Sequence, residues 1–437
     1  MPTTVYDSVT GEEISTDNII EIKVENNQYK YNMNNECVSV IAPTPEPEEE
    51  YVDNSGANSP ELLDNMVPVY YDGTNWIYAD IKEEWYDYDA KEWANAVVLN
   101  SGVTKNVGDA ITEDDIALWY VWIPRYKYQL FNANNGSVDP LEIQIKFETS
   151  TLTTGNVKCT DAVSGTAGTS SETCENAVNG NWYTHPAFTF GDQELTGFWV
   201  GKFEVSGIVN QSQLTIKPNV SSLRSQTVSS LFYAILNMNN AYDINGNTHM
   251  IKNMEWGAIA YLSHSKYGTC TDGNCVEVAI NSSSSFYTGG GTSNAYKTNV
   301  AQSTTKNIYG VYDMSGGAYE HVMGNMVDTS GNFYSSVSGF SIKPILKYYD
   351  IYSYDTNQLT HGRGKLGDAT KETLKIFENS SGGWYNDQPY LPYSNTSWFM
   401  RGGYYENGTV AGIFFFGRTN GQVSSSYSTR AVLVANE

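Results

Sequence analysis

Two acidic side chains, Asp313 and Glu320, lie close together in the segment Asp313-Met-Ser-Gly-Gly-Ala-Tyr-Glu320. The pair Gly316-Gly317 between them allows a sharp turn, because glycine adopts backbone angles that side chains forbid. Such a loop points two carboxylates and the intervening carbonyls at one hard cation. Calcium takes about six to eight oxygen ligands in flexible geometry, so the segment predicts a calcium site. The alternative is a tight turn, capped by Asp313, in which Glu320 accepts local hydrogen bonds and no metal binds.

The five cysteines offer a second kind of chemistry. Cys270 and Cys275 flank the turn-forming tetrapeptide Thr-Asp-Gly-Asn, and Cys159 and Cys174 bracket a loop rich in Gly, Ser and Thr. Both spacings predict hairpin disulfides, which form in oxidising surroundings. Reduced, unpaired cysteines are the alternative. Zinc is disfavoured, because the histidines are few and none stands at ligand spacing from either pair. Cys37 is left over and is expected to be a free, buried thiol.

Acidic residues outnumber basic ones by 49 to 25, which gives a formal net charge of −24. Such a charge repels phosphate backbones and anionic bilayers, so the composition argues against nucleic-acid binding and electrostatic membrane binding. The 33 tyrosines, with abundant Ser, Asn and Gly, are typical of surfaces that recognise partners with rigid aromatic rings and small polar groups. A β-rich extracellular protein with a polar, aggregation-resistant surface would have the same composition.

Membrane insertion is not expected, because no stretch approaches the ~20 apolar residues of a membrane span. The segment Met1–Asp7 also lacks the basic head and apolar core of a secretory signal. The predicted location is extracellular or on the surface of a virion such as a phage particle. Either a signal was removed from this numbering, or the protein leaves its cell by another route, such as lysis.

The composition divides the chain into four regions. Residues 1–42 read as a small β module for anchoring or assembly, although a disordered tail would look similar. Residues 43–60 form an acidic, proline-rich linker, because alternating prolines forbid helix and ladder hydrogen bonds. Residues 61–114 are predicted to form a meander rich in Trp and Tyr, with two-residue turns such as Asp72-Gly73. Residues 115–437 form the largest predicted domain.

The fold class expected from these patterns is β-rich α+β. Most of the chain consists of short β-forming runs separated by turns of Gly, Asn and Ser. Apolar residues recur at helical spacing in two places, which predicts helices over residues 225–238 and 254–267. Strands combined with a few helices are typical of an α+β arrangement.

A family resemblance covers residues ~115–437, where five segments in order resemble the formylglycine-generating-enzyme domain, a large variant of the C-type lectin fold. The segments are Tyr120-Val-Trp-Ile-Pro124, Gly197-Phe-Trp-Val-Gly-Lys-Phe-Glu-Val-Ser206, Asn253-Met-Glu-Trp-Gly-Ala-Ile-Ala260, Asn307-Ile-Tyr-Gly-Val-Tyr-Asp-Met-Ser-Gly-Gly-Ala-Tyr-Glu320, and Met400-Arg-Gly-Gly-Tyr404 together with Tyr427-Ser-Thr-Arg430. The resemblance implies a C-type-lectin-like fold whose first and last strands pair, so that Val121 and Val432 share a sheet. It also implies that Arg401 and Arg430 make buried structural hydrogen bonds. The calcium ligands it implies are Asp313, Gly316, Ala318 and Glu320.

The known chemistry of the family requires groups that this chain lacks. Formylglycine generation uses a pair of thiols near the C-terminal strands to hold copper, and residues 412–430 contain no cysteine. Another branch holds iron with three histidines, two of them on an N-terminal helical domain. This chain has five histidines, none paired at helical spacing, and no such helical domain is predicted. We therefore expect no enzyme activity of either type.

Phage receptor-binding proteins and diversified bacterial surface proteins resemble the same scaffold and present ligand-binding side chains from its last strands. The corresponding face here would consist of Tyr404, Tyr405, Glu406, Asn407, Arg418, Asn420, Gln422 and Tyr427. Phe414 and Phe416 belong to the same region, although burial in the core is the expected fate of both. The sequence thus predicts a receptor-binding protein that recognises a cell-surface glycan or protein, as a monomer or as a homo-oligomer. A structural subunit of a virion or filament and an oxidase with an unrecognised site are the alternatives.

Overall fold

The computed structural model describes residues 50–133, 136–155, 177–209, 214–328, 330–333, 336–352, 356, 364–376 and 379–436, together with four strands before residue 50. The chain forms two compact units, Met1–Glu50 and Tyr51–Glu437. In the first unit, β1 (Val5–Tyr6) pairs with β2 (Glu13–Ile14), and β3 (Gln28–Tyr31) pairs with β4 (Cys37–Ile41). The predicted linker up to residue 49 and the Cys159/Cys174 pair lie outside the described residues.

The second unit is built mainly of strands. In chain order they are β5 (Met66–Tyr71), β6 (Trp76–Tyr78), β7 (Asn95–Leu99), β8 (Ala110–Ile111), β9 (Ile116–Pro124), β10 (Tyr126–Gln129), β11 (Ile145–Phe147), β12 (Trp182–Thr184), β13 (Thr189–Phe190), β14 (Gln193–Glu194), β15 (Gly197–Gly201), β16 (Ser206–Gly207), β17 (Leu214–Thr215), β18 (Gly246–Met250), β19 (Cys270–Thr271), β20 (Asn274–Cys275), β21 (Tyr319–Met326), β22 (Asp350–Tyr352), β23 (Trp398–Arg401), β24 (Phe416–Thr419), β25 (Tyr427–Thr429) and β26 (Ala431–Ala435).

The helical elements of this unit are short. The α-helices are α1 (Val228–Leu236), α2 (Met238–Tyr242) and α3 (Asn253–Ser263). Single 3-10 turns cover Pro186–Phe188, Thr288–Gly290, Ala295–Lys297, Val300–Gln302, Ser336–Ser338, Leu346–Tyr348, Lys371–Thr373, Trp384–Asn386 and Gly408–Val410. This content makes the described protein a β-rich α+β structure, as the sequence predicted.

The largest sheet has eight antiparallel strands in the order β18-β26-β15-β9-β7-β5-β6-β8. Its strand β9 is apolar along almost its whole length and is buried throughout. That pattern is typical of a central strand covered on both faces. Val200 on β15 pairs with Val121 on one side and with Val432 on the other, so the sheet joins these two valines as expected. A domain boundary was predicted at residue 115, but this one sheet contains strands from both sides of it: β5 to β8 before it, and β9, β15, β18 and β26 after it.

A second, five-stranded sheet carries the C-terminal region in which the ligand-binding face was predicted. Strand β21 pairs with β23 on one edge and with β22 and β25 along the other, and β24 extends the sheet beyond β23. The β25 pairing is parallel and places Tyr319 opposite Tyr427. Residues that are far apart in sequence therefore meet at one end of this sheet.

The two predicted helices are present, each shorter than its sequence pattern. Helix α1 begins after Thr227, whose hydroxyl oxygen accepts a hydrogen bond from the Ser230 amide (3.2 Å). Helix α3 is buried along all of its residues, and Glu255 accepts a hydrogen bond from the Lys252 amide at its N-terminus (2.8 Å). No helix among the described residues combines the length and the hydrophobicity that a membrane crossing requires.

Candidate functional site

The best candidate for a binding surface is a group of aromatic side chains at the end of the five-stranded sheet. Tyr319 begins β21 and Tyr427 begins β25, while Tyr404 and Tyr405 follow β23 after the Gly402-Gly403 turn. Both glycines have positive φ (81° and 73°), which favours glycine. We call the following residues the tyrosine platform: Arg224, Phe286, Tyr319, Tyr404, Tyr405, Glu406 and Tyr427.

Ring contacts connect the platform continuously. The Tyr319 ring lies 4.8 Å from Tyr404 and 5.7 Å from Tyr427, measured between ring centroids. Tyr404 contacts Tyr405 edge to face at 5.3 Å. The four tyrosines are half-buried, so part of each ring faces solvent.

Glu406 holds two of these tyrosines in place. Its Oε2 atom accepts a hydrogen bond from the Tyr404 hydroxyl (2.8 Å), and its Oε1 atom accepts one from the Tyr405 hydroxyl (2.7 Å). The hydrogen bond to the carboxylate raises the pKa of Tyr404 to about 12 and raises the pKa of Tyr405 as well. In return, the two hydroxyls lower the pKa of Glu406. The carboxylate therefore stays ionised at neutral pH and fixes both rings before any ligand arrives.

Phe286 and Arg224 extend the platform on one side. The Phe286 ring meets Tyr405 edge to face at 4.9 Å, and the Arg224 guanidinium lies 3.9 Å above the Phe286 ring. Phe286 has a φ of 56°, a left-handed conformation that costs a bulky residue of order 1–3 kcal/mol. Two backbone hydrogen bonds hold it there: its amide donates to Ser283, and its carbonyl accepts from Ser222. Strain of this kind is concentrated at functional sites.

The remaining residues of the predicted face have other contacts. Asn407 closes the Tyr404 turn, because its Oδ1 atom accepts from the Tyr404 amide (2.9 Å). Arg418 stacks on Tyr390 and Tyr393, with its guanidinium carbon 4.8 and 4.9 Å from the ring centroids. Arg418 on β24 thus forms a second group with these two rings, which shares no residue with the platform.

Two polar residues and two phenylalanines complete the predicted set. Asn420 and Gln422 bond to one another across a tight turn, where Asn420 Nδ2 donates to Gln422 Oε1 (3.2 Å). Phe414 and Phe416 are buried in the core, as expected, and do not belong to the exposed face.

A buried carboxylate cluster of Glu204, Asp313 and Glu320, with the cation Arg430, adjoins the platform, because Glu320 follows Tyr319 in β21. Arg430 donates to both oxygens of Glu320, at 2.6 Å from Nη2 and 3.2 Å from Nε. It also donates to the carbonyls of Gly201 and Tyr312. All four side chains are essentially inaccessible to solvent.

The other two carboxylates bind loop amides. Glu204 Oε1 accepts from the Ala318 amide (2.9 Å), and Asp313 Oδ1 accepts from the Gly289 amide (2.8 Å) and from Asn281 Nδ2 (2.9 Å). Asp313 Oδ2 is buried and has no hydrogen-bond partner among the residues that the structure describes. Because the Tyr405 amide donates to the Gly317 carbonyl, the cluster supports the loops that carry the platform.

Burial dominates the electrostatics of this cluster. It raises the pKa of Glu320 to about 7 and raises that of Asp313, against the attraction of Arg430. It raises the pKa of Glu204 well above its usual value, and the neighbouring Glu320 and Asp313 charges raise it further. One guanidinium faces three buried carboxylates here, so burial and mutual repulsion both favour the protonated forms of these acids.

The calcium site that the resemblance implied does not fit this arrangement. Asp313 Oδ2 offers an unpaired oxygen, but both Glu320 oxygens are taken by the Arg430 guanidinium. A calcium ion shared by Asp313 and Glu320 would lie against this positive charge. The Ala318 amide donates to Glu204 and the Gly316 amide donates to the Gly402 carbonyl, so hydrogen bonds hold the turn that carries the two acids. Arg430, which was expected to make buried structural hydrogen bonds, provides the positive charge that faces Glu320.

Chelation provides the test of this arrangement. We expect the melting temperature of the full chain to be the same in excess EDTA as in millimolar calcium, because a ligand that binds only the folded state would raise it. Differential scanning calorimetry measures both. A lower melting temperature in EDTA, abolished by Glu320→Gln, would restore calcium to the site.

Cys270 and Cys275 form a disulfide across the hairpin of β19 and β20. His264, which ends α3, lies beside it, with its Nδ1 atom 4.0 Å from Cys270 Sγ. Zinc was disfavoured because no histidine stands at ligand spacing from either pair; in space, the tight turn at Gly268 nevertheless brings the hairpin back onto the end of α3, beside His264.

Four residues of these sites were not predicted from the sequence: Arg224, Glu204, His264 and Phe286. Glu204 is a lone acid in the run Phe203-Glu204-Val205 between buried apolar residues, and His264 stands six residues before Cys270, so both left a local signal. Arg224 and Phe286 reach their partners through contacts between distant parts of the chain. Arg401 and Arg430 are fully buried and hydrogen-bonded, as predicted.

Comparison with models of protein families and with curated proteins finds no match to this chain.

Proposed function

We propose that this protein is a non-catalytic receptor-binding protein, displayed on a phage particle or a bacterial surface, which binds a cell-surface glycan or protein through the tyrosine platform. The observation that carries this proposal is the pair Tyr404 and Tyr405, half-exposed and fixed by the Glu406 carboxylate. Rigid aromatic side chains contribute large contact areas and lose little conformational entropy on binding.

The chemistry of the platform suits a polar ligand with apolar patches, such as a sugar. Ring faces pack against the C–H groups of a sugar, while hydroxyls and a carboxylate bind its hydroxyl groups. Arg224 adds one cation at the edge, able to pair with an acidic group or a peptide carboxylate. The overall charge of −24 disfavours a strongly acidic ligand, so a neutral glycan or a protein with basic residues fits better.

We further propose that residues 115–437 have a C-type-lectin-like fold. Two features support this assignment: the pairing of β15 with β26 in one sheet, and the position of the Arg401-Gly402-Gly403 turn beside the platform. The proposed role of the first unit, Met1–Glu50, is attachment to a larger assembly. Many copies on one particle would convert modest affinity per site into firm adhesion.

The test compares two pairs of tyrosines from the same region. We expect the double variant Tyr404→Ala/Tyr405→Ala to lose at least about 30-fold in affinity, because buried aromatic anchors each contribute about 2 kcal/mol at binding sites. The matched control is Tyr390→Ala/Tyr393→Ala, which removes the half-buried rings under Arg418 and should bind as the parent does. Binding is measured by biolayer interferometry against a panel of bacterial surface glycans and by adhesion to whole bacterial cells.

Each result has a defined consequence. Loss of binding in the control alone would move the site to the Arg418 group. If both variants bind as tightly as the parent protein, the binding site lies elsewhere on the molecule. If the parent protein binds neither glycans nor cells, while it assembles into a defined polymer, the structural-subunit hypothesis replaces this one.

A further inference from the structure

We propose that His264, Cys270 and Cys275 form a redox-gated zinc site, closed while the two cysteines are joined by their disulfide and able to bind one Zn²⁺ ion once they are reduced. The three ligand atoms, His264 Nδ1 and the two Sγ atoms, lie within 4.8 Å of one another. A set of two thiolates and one imidazole is a known kind of zinc coordination. This site shares no residue with the tyrosine platform. Zinc binding here does not depend on the proposed receptor binding.

The distances require little movement. In a tetrahedral zinc site, sulfur and nitrogen ligands stand about 3.5–3.8 Å apart, as follows from bond lengths of about 2.3 Å and 2.0 Å. His264 Nδ1 is already 4.0 Å from Cys270 Sγ. Breaking the S–S bond leaves the two sulfurs free to separate towards that range.

The hairpin that carries the cysteines is held by bonds other than the disulfide. Its turn residues Asp272 and Gly273 both have positive φ (52° and 78°), as a two-residue hairpin turn of this kind requires. Lys91 Nζ donates to the Cys270 carbonyl and to Thr271 Oγ1, each at 2.8 Å. The Cys270 amide also donates to the Ser265 carbonyl. These contacts keep both sulfurs beside His264 after reduction.

The imidazole is oriented as in a metal site. A metal-binding histidine usually donates its second ring N–H to an oxygen that fixes its tautomer. Here the Nε2 atom of His264 lies 2.8 Å from the Tyr385 hydroxyl, on the side of the ring away from Cys270. Tyr385 has a φ of 57°, a strained conformation for a tyrosine, which directs its side chain to this position. Trp384 and Phe414 pack around the ring at 5.0 and 5.3 Å.

The site is also accessible from one side. Cys270 is buried, but Cys275 is half-buried, and the turn residues from Thr271 to Asn274 include exposed positions next to solvent. An ion can enter there, and a water molecule can take the fourth position that three protein ligands leave open.

Reduction proceeds by thiol–disulfide exchange with a dithiol. A thiolate of the reductant attacks Cys275 Sγ, the S–S bond breaks, and Cys270 leaves as a thiolate. The second thiol of the reductant then attacks the mixed disulfide and releases the Cys275 thiolate. Two electrons pass from the dithiol to the protein, the reductant becomes a cyclic disulfide, and its two protons pass to solvent when Zn²⁺ binds the thiolates.

Cobalt(II) serves as the spectroscopic probe in a full-length background with Cys37→Ser, Cys159→Ser and Cys174→Ser, which removes the other thiols. After reduction with dithiothreitol and its anaerobic removal, we expect one equivalent of Co²⁺ to give thiolate-to-metal charge-transfer bands and the visible bands of tetrahedral cobalt. Zn²⁺ should displace the cobalt. The oxidised protein should show neither band.

Two variants make the assignment specific. His264→Gln should lower the affinity for Co²⁺ by at least about 100-fold, and Tyr385→Phe, which removes only the orienting hydroxyl, by about 10- to 100-fold. Identical spectra and affinities in His264→Gln and in the background protein would overturn the proposal, and so would a reduced protein without thiolate–cobalt bands. If His264→Gln does not fold, X-ray absorption of the zinc-loaded background protein decides, since absence of a nitrogen neighbour contradicts the site.

Discussion

Replacing Arg430 by methionine should lower the free energy of unfolding by about 3–5 kcal/mol at neutral pH, since breaking a buried ion pair leaves its partner charge without compensation. Arg430 is fully buried and is the cation of the carboxylate cluster, with Glu320 at 2.6 Å. Methionine has a similar volume, so the loss reports on charge and hydrogen bonds rather than on a cavity. Urea denaturation followed by tryptophan fluorescence measures it.

The same variant should show a characteristic pH dependence. Burial already raises the pKa of Glu320 to about 7, above its usual value near 4.5. The folded state therefore holds protons that the unfolded state releases, and stability falls as the pH rises between these values. Loss of Arg430 raises the folded pKa further, so the penalty should be larger at pH 8 than at pH 5.

A double-mutant cycle provides the control for Arg430. Glu320→Gln removes the carboxylate charge and keeps its shape, so Arg430→Met/Glu320→Gln should recover part of the stability lost by Arg430→Met alone. A penalty that is equal at pH 5 and pH 8, and that the second substitution does not reduce, would show that Arg430 acts through its carbonyl contacts with Gly201 and Tyr312 instead.

Gly257→Ala should also destabilise the protein, by about 3 kcal/mol, although alanine normally stabilises a helix relative to glycine by about 1 kcal/mol. A Cβ atom at Gly257 would lie 1.9 Å from the Gly367 carbonyl oxygen and 2.7 Å from the Asp368 Cα atom. Backbone cannot yield as a flexible side chain does, so helix α3 and this segment must move apart. Thermal unfolding by circular dichroism measures the effect.

The control for Gly257 is Gly136→Ala, whose added Cβ would meet only Asn132 Oδ1 at 3.6 Å, an ordinary contact. We expect this variant to lie within about 0.5 kcal/mol of the parent, as surface substitutions usually do. Equal stability of both variants would mean that α3 does not press against the Gly367 backbone as described.

Local patterns in the sequence were sufficient for the fold class and for several elements. Helical spacing located α1 and α3 to within a few residues, and the Thr-Asp-Gly-Asn turn located the Cys270 hairpin. These features depend on neighbouring residues, whose preferences are visible in the sequence. Arg430 was also placed correctly among buried structural residues.

The sites were less predictable, because tertiary contacts build them. Phe286 meets Tyr405 although more than a hundred residues separate them, and Glu204 reaches the Ala318 amide in the same way. The predicted face treated all residues after β23 as one surface. Arg418 on β24 instead stacks on Tyr390 and Tyr393. The parallel pairing of β21 with β25 brings Tyr319 and Tyr427 together.

The position of β26 in the large sheet governs how this protein can fold. Trp199 on β15 pairs with Leu433 on β26, and β18 pairs with the other edge of β26. Contacts between residues so distant in sequence close large loops, and proteins dominated by such contacts fold slowly. Until β26 arrives, β15 presents an open strand edge beside an apolar core, where another chain can pair. Refolding yield should therefore depend steeply on protein concentration, and a cell that makes many copies must protect this edge during synthesis.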